Sequence, residues 1–284
     1  MTPSASSTGT LYVCGTPIGN LSDITLRALE TLKAVQLIAA EDTRQAAKLL
    51  ARFEIETPTV SYHEHNSASQ TPKLVARLQA GESVALISDA GMPGISDPGE
   101  ELIRAAIAAG IPVVPVPGPV AAVTGLVVSG LPTARWVFEG FLPREGKARR
   151  RLLRTLTGET RTIVFYEGPH RLLDTLQDMA AAFGPRRPVA VARELTKTFE
   201  EVVRGTLESA VAHFTAHEPR GEFTLVVGGC PADEVPEEVI DLDGRLRALL
   251  GQGMSKQDAS KQVARELGVA KREVYQRALE LTEE

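Results

Sequence analysis

Cysteine is nearly absent from this chain: its 284 residues include two, Cys14 and Cys230. A pair so far apart builds neither a disulfide framework nor a zinc site, and it fits a reducing cytoplasm. No apolar run approaches the roughly 18–20 residues that a membrane span needs. Residues 1–9 are rich in Ser and Thr, with no cationic start and no apolar centre, so 1–10 reads as a short disordered tail and not as a signal peptide. An excess of positive charge is also missing. The formal net charge of -5 excludes a protein that coats nucleic acid non-specifically, but not an enzyme with one local basic patch. Repeats and low-complexity tracts are absent too.

What is present is an ordinary globular composition, 43% hydrophobic and 24% charged, long enough for two modest domains with their own cores. From residue 11 to about 140, short apolar runs alternate with helical patterns. Strands are expected at 11–14, 36–40, 60–65, 84–88 and 112–116. Helices are expected after a Ser22 cap, with Ile24, Leu26, Leu29 and Leu32 as the apolar stripe, and at 43–53 and 98–109. Such alternation predicts a mostly parallel sheet with helices packed on it.

A second α/β segment follows, with strands at 162–166, 189–193, 199–203 and 223–227 and helices at 170–183 and 207–217. Phe141-Leu142-Pro143-Arg144-Glu145-Gly146 reads as the linker, so the expected domains are 11–140 and 141–230. An acidic, proline-bounded stretch at 231–236 then leads to a helical unit, 240–284, with helices at 241–250, 255–267 and 270–281. Within it, Ala264-Arg265-Glu266-Leu267-Gly268-Val269 has the look of a helix-turn-helix.

Three loops carry the chemistry. Cys14-Gly15-Thr16-Pro17-Ile18-Gly19-Asn20 follows the first strand, where open α/β sheets bind ligands. A dinucleotide site is disfavoured there: the spacing is not G-x-G-x-x-G, and Pro17 removes a backbone donor, although Glu41 and Asp42 lie where a ribose-binding acid would. Residues 88–99 hold more Gly and Pro than a plain turn needs, with Asp97 near the next helix N-terminus. Pro115-Val116-Pro117-Gly118-Pro119-Val120-Ala121-Ala122 makes the third loop, with Pro119 suited to a first helical position. Three such loops after three strands point to one shared pocket.

In this order the loops resemble those of the tetrapyrrole-methylase superfamily of S-adenosylmethionine enzymes. Further segments narrow the resemblance to its ribosomal-RNA branch: Thr16-Pro17-Ile18-Gly19-Asn20-Leu21, Ala40-Glu41-Asp42-Thr43-Arg44, Tyr62-His63-Glu64-His65-Asn66, Phe165-Tyr166-Glu167-Gly168-Pro169-His170-Arg171, Arg193-Glu194-Leu195-Thr196-Lys197 and Gly221-Glu222-Phe223. The likeness runs from residue 11 to 227. It implies S-adenosylmethionine bound in a cleft between two α/β domains, ahead of the small C-terminal helical unit already read from the pattern, and 2′-O-methylation of a cytidine in 16S rRNA of the small ribosomal subunit. It also implies a homodimer. Residue by residue, it places Pro17, Asp89, Ala90, Gly91, Pro93, Val120, Ala121, Tyr166, Glu167, Leu195, Glu222, Phe223 and Thr224 at the cofactor. Gly168 departs from the family, which has a serine there.

A ribose hydroxyl is a weak nucleophile, so a base or an alkoxide-stabilising cation would help. Asp42 is a candidate base, or else the cap of the helix starting at Thr43. Glu194 and Lys197 could orient the ribose and neutralise the alkoxide, or form a surface ion pair. Arg44 could hold a phosphate or be a solvated helix residue. His63 and His65 alternate on one strand and suit substrate contact or plain packing; a metal would need further ligands, and none is evident. Arg144, Lys147, Arg149, Arg150, Arg151 and Arg154 form the densest basic run, either an RNA-phosphate contact or a solvated helix face. Two rival functions share parts of this pattern. A corrin-precursor methylase would use the same fold and cofactor. A DNA-binding regulator would use the helix-turn-helix, which lacks excess positive charge and leaves most of the chain without a task.

Overall fold

The computed structural model describes residues 8–231, 242–267 and 271–281. The chain forms two compact units, Met1–Ala232 and Asp233–Glu284.

The first unit contains two five-stranded sheets. In the first, β1 (Leu11–Cys14), β2 (Leu37–Ala40), β3 (Thr59–Ser61), β4 (Val84–Ile87) and β5 (Val113–Val116) run parallel in the order β3-β2-β4-β1-β5. The central strands are short unbroken apolar runs because helices cover both faces. On one face α1 (Leu26–Ala34) and α2 (Thr43–Arg52) bury Leu32 and Leu50; on the other α3 (Ser67–Gln79) and α4 (Glu100–Ala108) bury Leu74, Leu78 and Leu102. Neighbouring β1 and β4 therefore send their chains to opposite faces. Their C-terminal loops diverge, which opens the crevice where such sheets bind ligands.

The second sheet is mixed. It comprises β6 (Trp136–Phe141), β7 (Thr162–Glu167), β8 (Pro188–Arg193), β9 (Glu201–Thr206) and β10 (Phe223–Val227), in the order β6-β7-β10-β8-β9. β6 and β7 pair parallel and the remaining pairs are antiparallel. α6 (Gly146–Thr155), α7 (Leu172–Phe183) and α8 (Leu207–Ala216) pack on one face through Leu153, Leu176, Met179 and Phe214. α5 (Ala121–Ser129) covers the other through Ala122 and Leu126 on Val164, Ala190 and Val226. It lies very close: a Cβ on Gly125 would stand 2.7 Å from Cγ2 of Thr224.

Several sequence expectations are corrected here. Ser22 sits in a short 3-10 turn, Leu21–Asp23, and Thr25 caps α1 by accepting the Ala28 N–H at 3.1 Å. α3 was not anticipated, because its polar start and Pro72 hide the stripe of Thr71, Leu74 and Leu78. The strand expected at 60–65 stops at Ser61, where Asn66 accepts the His63 N–H and turns the chain, so His63 and His65 do not alternate on a strand. Pro119 is not the first residue of a helix, since α5 begins at Ala121 after Val120. Residues 136–141 belong to the second sheet, so the expected boundary at 140/141 falls inside β6. Phe199 precedes β9 and is exposed.

The second unit contains α9 (Leu242–Gly251), α10 (Lys256–Leu267) and α11 (Lys271–Glu280) around Leu246, Ala259, Val263, Val274 and Ala278. Arg277 on α11 pairs with Asp243 on α9. The expected tail up to residue 7, most of the 231–236 linker, and Gly268 and Val269 of the helix-turn-helix lie outside the described residues.

Candidate active site

Loops from both sheets meet at one cavity. Thr16 and Gly91 exchange backbone hydrogen bonds at 2.9 and 3.1 Å, and the Thr16 hydroxyl donates to the Ser88 carbonyl at 3.1 Å. A Cβ on Gly15 would fall 2.7 Å from Cα of Gly118, so the loops after β1 and β5 touch backbone to backbone. The loops after β2 and β4 are stitched together as well. The Asp89 N–H donates to Glu41 Oε2 at 3.2 Å, and the Asp42 N–H donates to Asp89 Oδ1 at 3.1 Å.

The cavity measures about 480 Å³, within the range of small-molecule sites. Of the residues expected at a cofactor, Asp89, Ala90, Gly91, Val120, Ala121, Tyr166, Glu167, Leu195, Glu222, Phe223 and Thr224 line it. Pro17 and Pro93 do not; both are buried, and their neighbours Ile18 and Met92 form the wall instead. A Cβ at Gly168 would meet nothing within 4 Å, so glycine in place of serine there costs no packing.

Glu167 lines the wall, but its carboxylate is committed to the loop after β7 and the start of α7. It accepts from the Thr175 hydroxyl at 2.6 Å, from Arg171 at 3.2 Å and from the Gly168 N–H at 2.9 Å. Glu194 and Lys197 also line the cavity. Lys197 Nζ donates at 2.8 Å to both Glu194 and Glu222, and Glu194 also accepts the Glu222 N–H at 2.9 Å. Burial pushes the Glu194 carboxyl up, but the bonds from Lys197 and Glu222 outweigh it and hold the group below the usual carboxylate range. Backbone strain accompanies this arrangement, with Glu194 at φ 49° and Thr196 at φ 68°.

A second cavity, about 670 Å³, adjoins the first. Tyr62, His63, Glu64 and His65 line one side, the segment from Pro98 to Glu101 and Arg104 the other, and Glu41, Ser96 and Asp97 belong to both cavities. The rings of His63 and His65 stand 5.9 Å apart.

Residues 10–211 match the family of Tetrapyrrole (Corrin/Porphyrin) Methylases. The chain belongs to that family. Residues 236–282 match the RsmI C-terminal HTH domain. Among similar curated proteins is the Synechocystis ribosomal RNA small subunit methyltransferase I, 51% identical over 96% of this chain and 98% of its own length. The Bacillus subtilis protein of the same name is 46% identical over 95% and 94%. Of solved structures, the uroporphyrin-III C-methyl transferase of Thermus thermophilus, complexed with S-adenyl homocysteine, shares the fold at TM-score 0.55. It is 22% identical and covers 78% of this chain and 97% of its own.

In this tetrapyrrole methylase, Asp42 stands outside both cavities. Its carboxylate accepts the Arg44 N–H at 2.8 Å as the cap of α2 and pairs with the Arg44 guanidinium at 2.6 Å. Those hydrogen bonds hold it down at about 2, which makes it a poor base. Arg44 is 87% exposed and turned to solvent. Of the basic run, Lys147, Arg150 and Arg151 are exposed on α6, but Arg149 is not. It is 6% exposed and donates to Asp178 at 2.7 Å, so the expectation that it reaches RNA is corrected: it faces the core beside Leu153, one helical turn on.

The sequence pattern gives Glu41 only the position of a ribose-binding acid in a disfavoured dinucleotide site and Asp97 only a place near a helix N-terminus; the structure brings both to the junction of the two cavities. The density of Gly and Pro in 88–99 marks the loop that delivers Asp97. Burial, then the charge of Glu41, pushes Asp97 up to about 7, against the pull of the Ser88 hydroxyl. Burial likewise raises Glu41 above the ordinary carboxylate range. Among the described residues, no cluster of three or more His, Cys, Asp or Glu side chains could hold a metal ion.

Proposed function

We propose that this chain transfers a methyl group from S-adenosylmethionine to the ribose 2′-oxygen of a cytidine in 16S rRNA of the small ribosomal subunit. What carries the reading is near-full-length similarity, at 46–51% identity, to proteins named ribosomal RNA small subunit methyltransferase I. The residues present suit the cofactor. The apolar wall of Ile18, Leu195 and Phe223 accepts a flat adenine, and exposed Asp89 can meet a ribose hydroxyl or an ammonium group. When bound, S-adenosylmethionine supplies an electrophilic methyl on a sulfonium, so the protein has to bind, align and exclude water. Lys197 and Glu194 hold the 194–197 turn against Glu222, which keeps the Leu195 edge of the cavity in place.

The corrin-precursor alternative requires a site for a polyanionic macrocycle. Glu41, Glu64, Asp97, Glu100 and Glu101 around the second cavity oppose that, since the arginine there, Arg104, is paired with Glu100. The exposed cations of α6 supply phosphate contacts outside the cavities. The reading also takes the enzyme to be cytoplasmic and homodimeric. In support of the dimer, Val123 and Val127 leave α5 exposed at 46% and 68%.

The test is to incubate the protein with radiolabelled S-adenosylmethionine and small subunits lacking the modification, then map the label with nucleases. Label on a cytidine 2′-oxygen is the expected result. Cofactor binding without RNA labelling would move the substrate to a small molecule.

A further inference from the structure

Among the described residues three line both cavities, Glu41, Ser96 and Asp97, and two of them are carboxyls. A group that touches both a methyl donor in the first cavity and an acceptor in the second has to stand here. The backbone is bent to place it. Gly94, Ser96 and Gly99 have φ of 81°, 62° and 147°, and a serine held at positive φ is strain that loops keep where the geometry is used. Glu41 is anchored, since its Oε2 accepts the Asp89 N–H at 3.2 Å. Asp97 is the less encumbered of the two.

The second cavity is also selective by charge. Four carboxylates, Glu41, Glu64, Glu100 and Glu101, stand around it besides Asp97, and Arg104 is paired with Glu100. Phosphates are repelled from such a lining. The ribose and base of a nucleotide turned out of its strand are uncharged and enter the cavity while the flanking phosphates stay at the mouth. The exocyclic amine of cytosine, like that of adenine, is a donor that carboxylates accept.

We infer that the second cavity seats the target cytidine and that Asp97 accepts the proton of its 2′-hydroxyl. The assignment rests on the ribose-methylation reading above. As the 2′-oxygen forms its bond to the methyl carbon, the S–C bond breaks with its electron pair left on sulfur. The hydroxyl proton passes to an Asp97 carboxylate oxygen, giving a neutral ether, a neutral thioether and a carboxylic acid that later returns the proton to water. Asp97 has to be ionised to do this. Glu41, Asp89 and Glu222 face it and raise its proton affinity, and a Ser88 hydroxyl lowers it. Tyr62, His63, Glu64, His65, Glu100, Glu101 and Arg104 around the second cavity and Tyr166 and Glu167 around the first are the other titratable or charged groups, with Lys197 held by Glu194 and Glu222. With the carboxyl near 7, the single-turnover rate should rise as pH passes 7 and level off above it.

The experiment compares wild type with Asp97→Asn and Glu41→Gln in single-turnover labelling of unmodified small subunits from pH 5.5 to 9. It adds carboxyl-carbon NMR titration of the ligand-free proteins. Asp97→Asn should lose about 100-fold or more in rate, together with the rising limb, while binding S-adenosylmethionine as wild type does. Glu41→Gln should keep the limb but move it to lower pH, because the Glu41 charge helps to raise Asp97. A carboxyl titrating near pH 7 should be present in wild type and missing from Asp97→Asn. Asp97→Asn protein that labels within threefold of wild type with the limb intact, or a wild-type spectrum without that carboxyl, overturns the assignment. Wild-type protein that leaves the RNA unlabelled sinks the ribose-methylation reading, and the assignment with it.

Discussion

The phenolic oxygen of Tyr166 accepts the backbone N–H of Ala122 at 3.0 Å, which ties the end of β7 to the first turn of α5. The first N–H groups of a helix have no partner within it, and here a side chain from a neighbouring strand supplies one. Phe138 and Phe141 hold the ring in place at 5.0 and 5.5 Å. Because Tyr166, Val120 and Ala121 all line the first cavity, one hydrogen bond fixes two of its walls.

Tyr166→Phe keeps the ring packing and removes only that acceptor. Ala122 is buried, so its N–H is left unsatisfied, at a cost of about 1–3 kcal/mol. The expected outcome is a lower Tm together with weaker binding of S-adenosylhomocysteine by calorimetry. An unchanged Tm would mean that water takes the place of the hydroxyl.

The basic residues of α6 divide by helix phase. Arg149→Met breaks a pair whose side chains are 7% and 15% exposed, and Asp178 is left with only Arg150, 3.6 Å away; the expected loss is about 3 kcal/mol of stability by denaturant titration. Replacing Lys147, Arg150 and Arg151 together with alanine should leave stability nearly unchanged. It should lower the slope of log affinity for single-stranded RNA against log salt by about 2, at roughly 0.7 per phosphate contact. An unaltered slope would remove α6 from the RNA-binding face.

Asp42→Ala separates a cap from a base. The carboxylate is bound to Arg44 and its backbone N–H, outside both cavities, and is held at about 2. The expected result is a modest fall in Tm with methyl-transfer rate near wild type. A large loss of rate without loss of cofactor affinity would restore Asp42 as the base.

These cases show what could be read in advance. β1 and β4 are unbroken apolar runs because both their faces are covered, so pattern alone finds them. β6 escapes because its register slips between Phe138 and Gly140, and Glu139 and Gly140 make the stretch resemble a linker. Arg149 was readable in principle, since it shares a helix face with Leu153, but a run of like charges draws attention away from phase. The cavity loops announce themselves through Gly and Pro, yet a loop's composition does not say which side chain it delivers. The Asp97 carboxyl owes its character to Glu41 on a different strand's loop, a proximity that exists only after folding.

That proximity has a stability signature. In the unfolded chain the Asp97 carboxyl ionises near the ordinary aspartate value of 3.8; in the folded protein it does so at about 7. Between those values the folded form keeps a proton that the unfolded form has released, so raising the pH across this interval pulls the equilibrium toward unfolding. The contribution is fully present below 3.8 and is lost as pH rises through 7. Asp97→Asn cannot ionise, so it should leave stability unchanged near pH 3.5 and raise it at pH 8. The gain should be about 1–2 kcal/mol, since solvent screening of a partly exposed carboxyl reduces the full effect. Denaturant titrations of both proteins at the two pH values measure it. A gain of equal size at both would assign the effect to packing, and no gain at either would mean that Asp97 ionises in the folded protein as an ordinary surface carboxyl does.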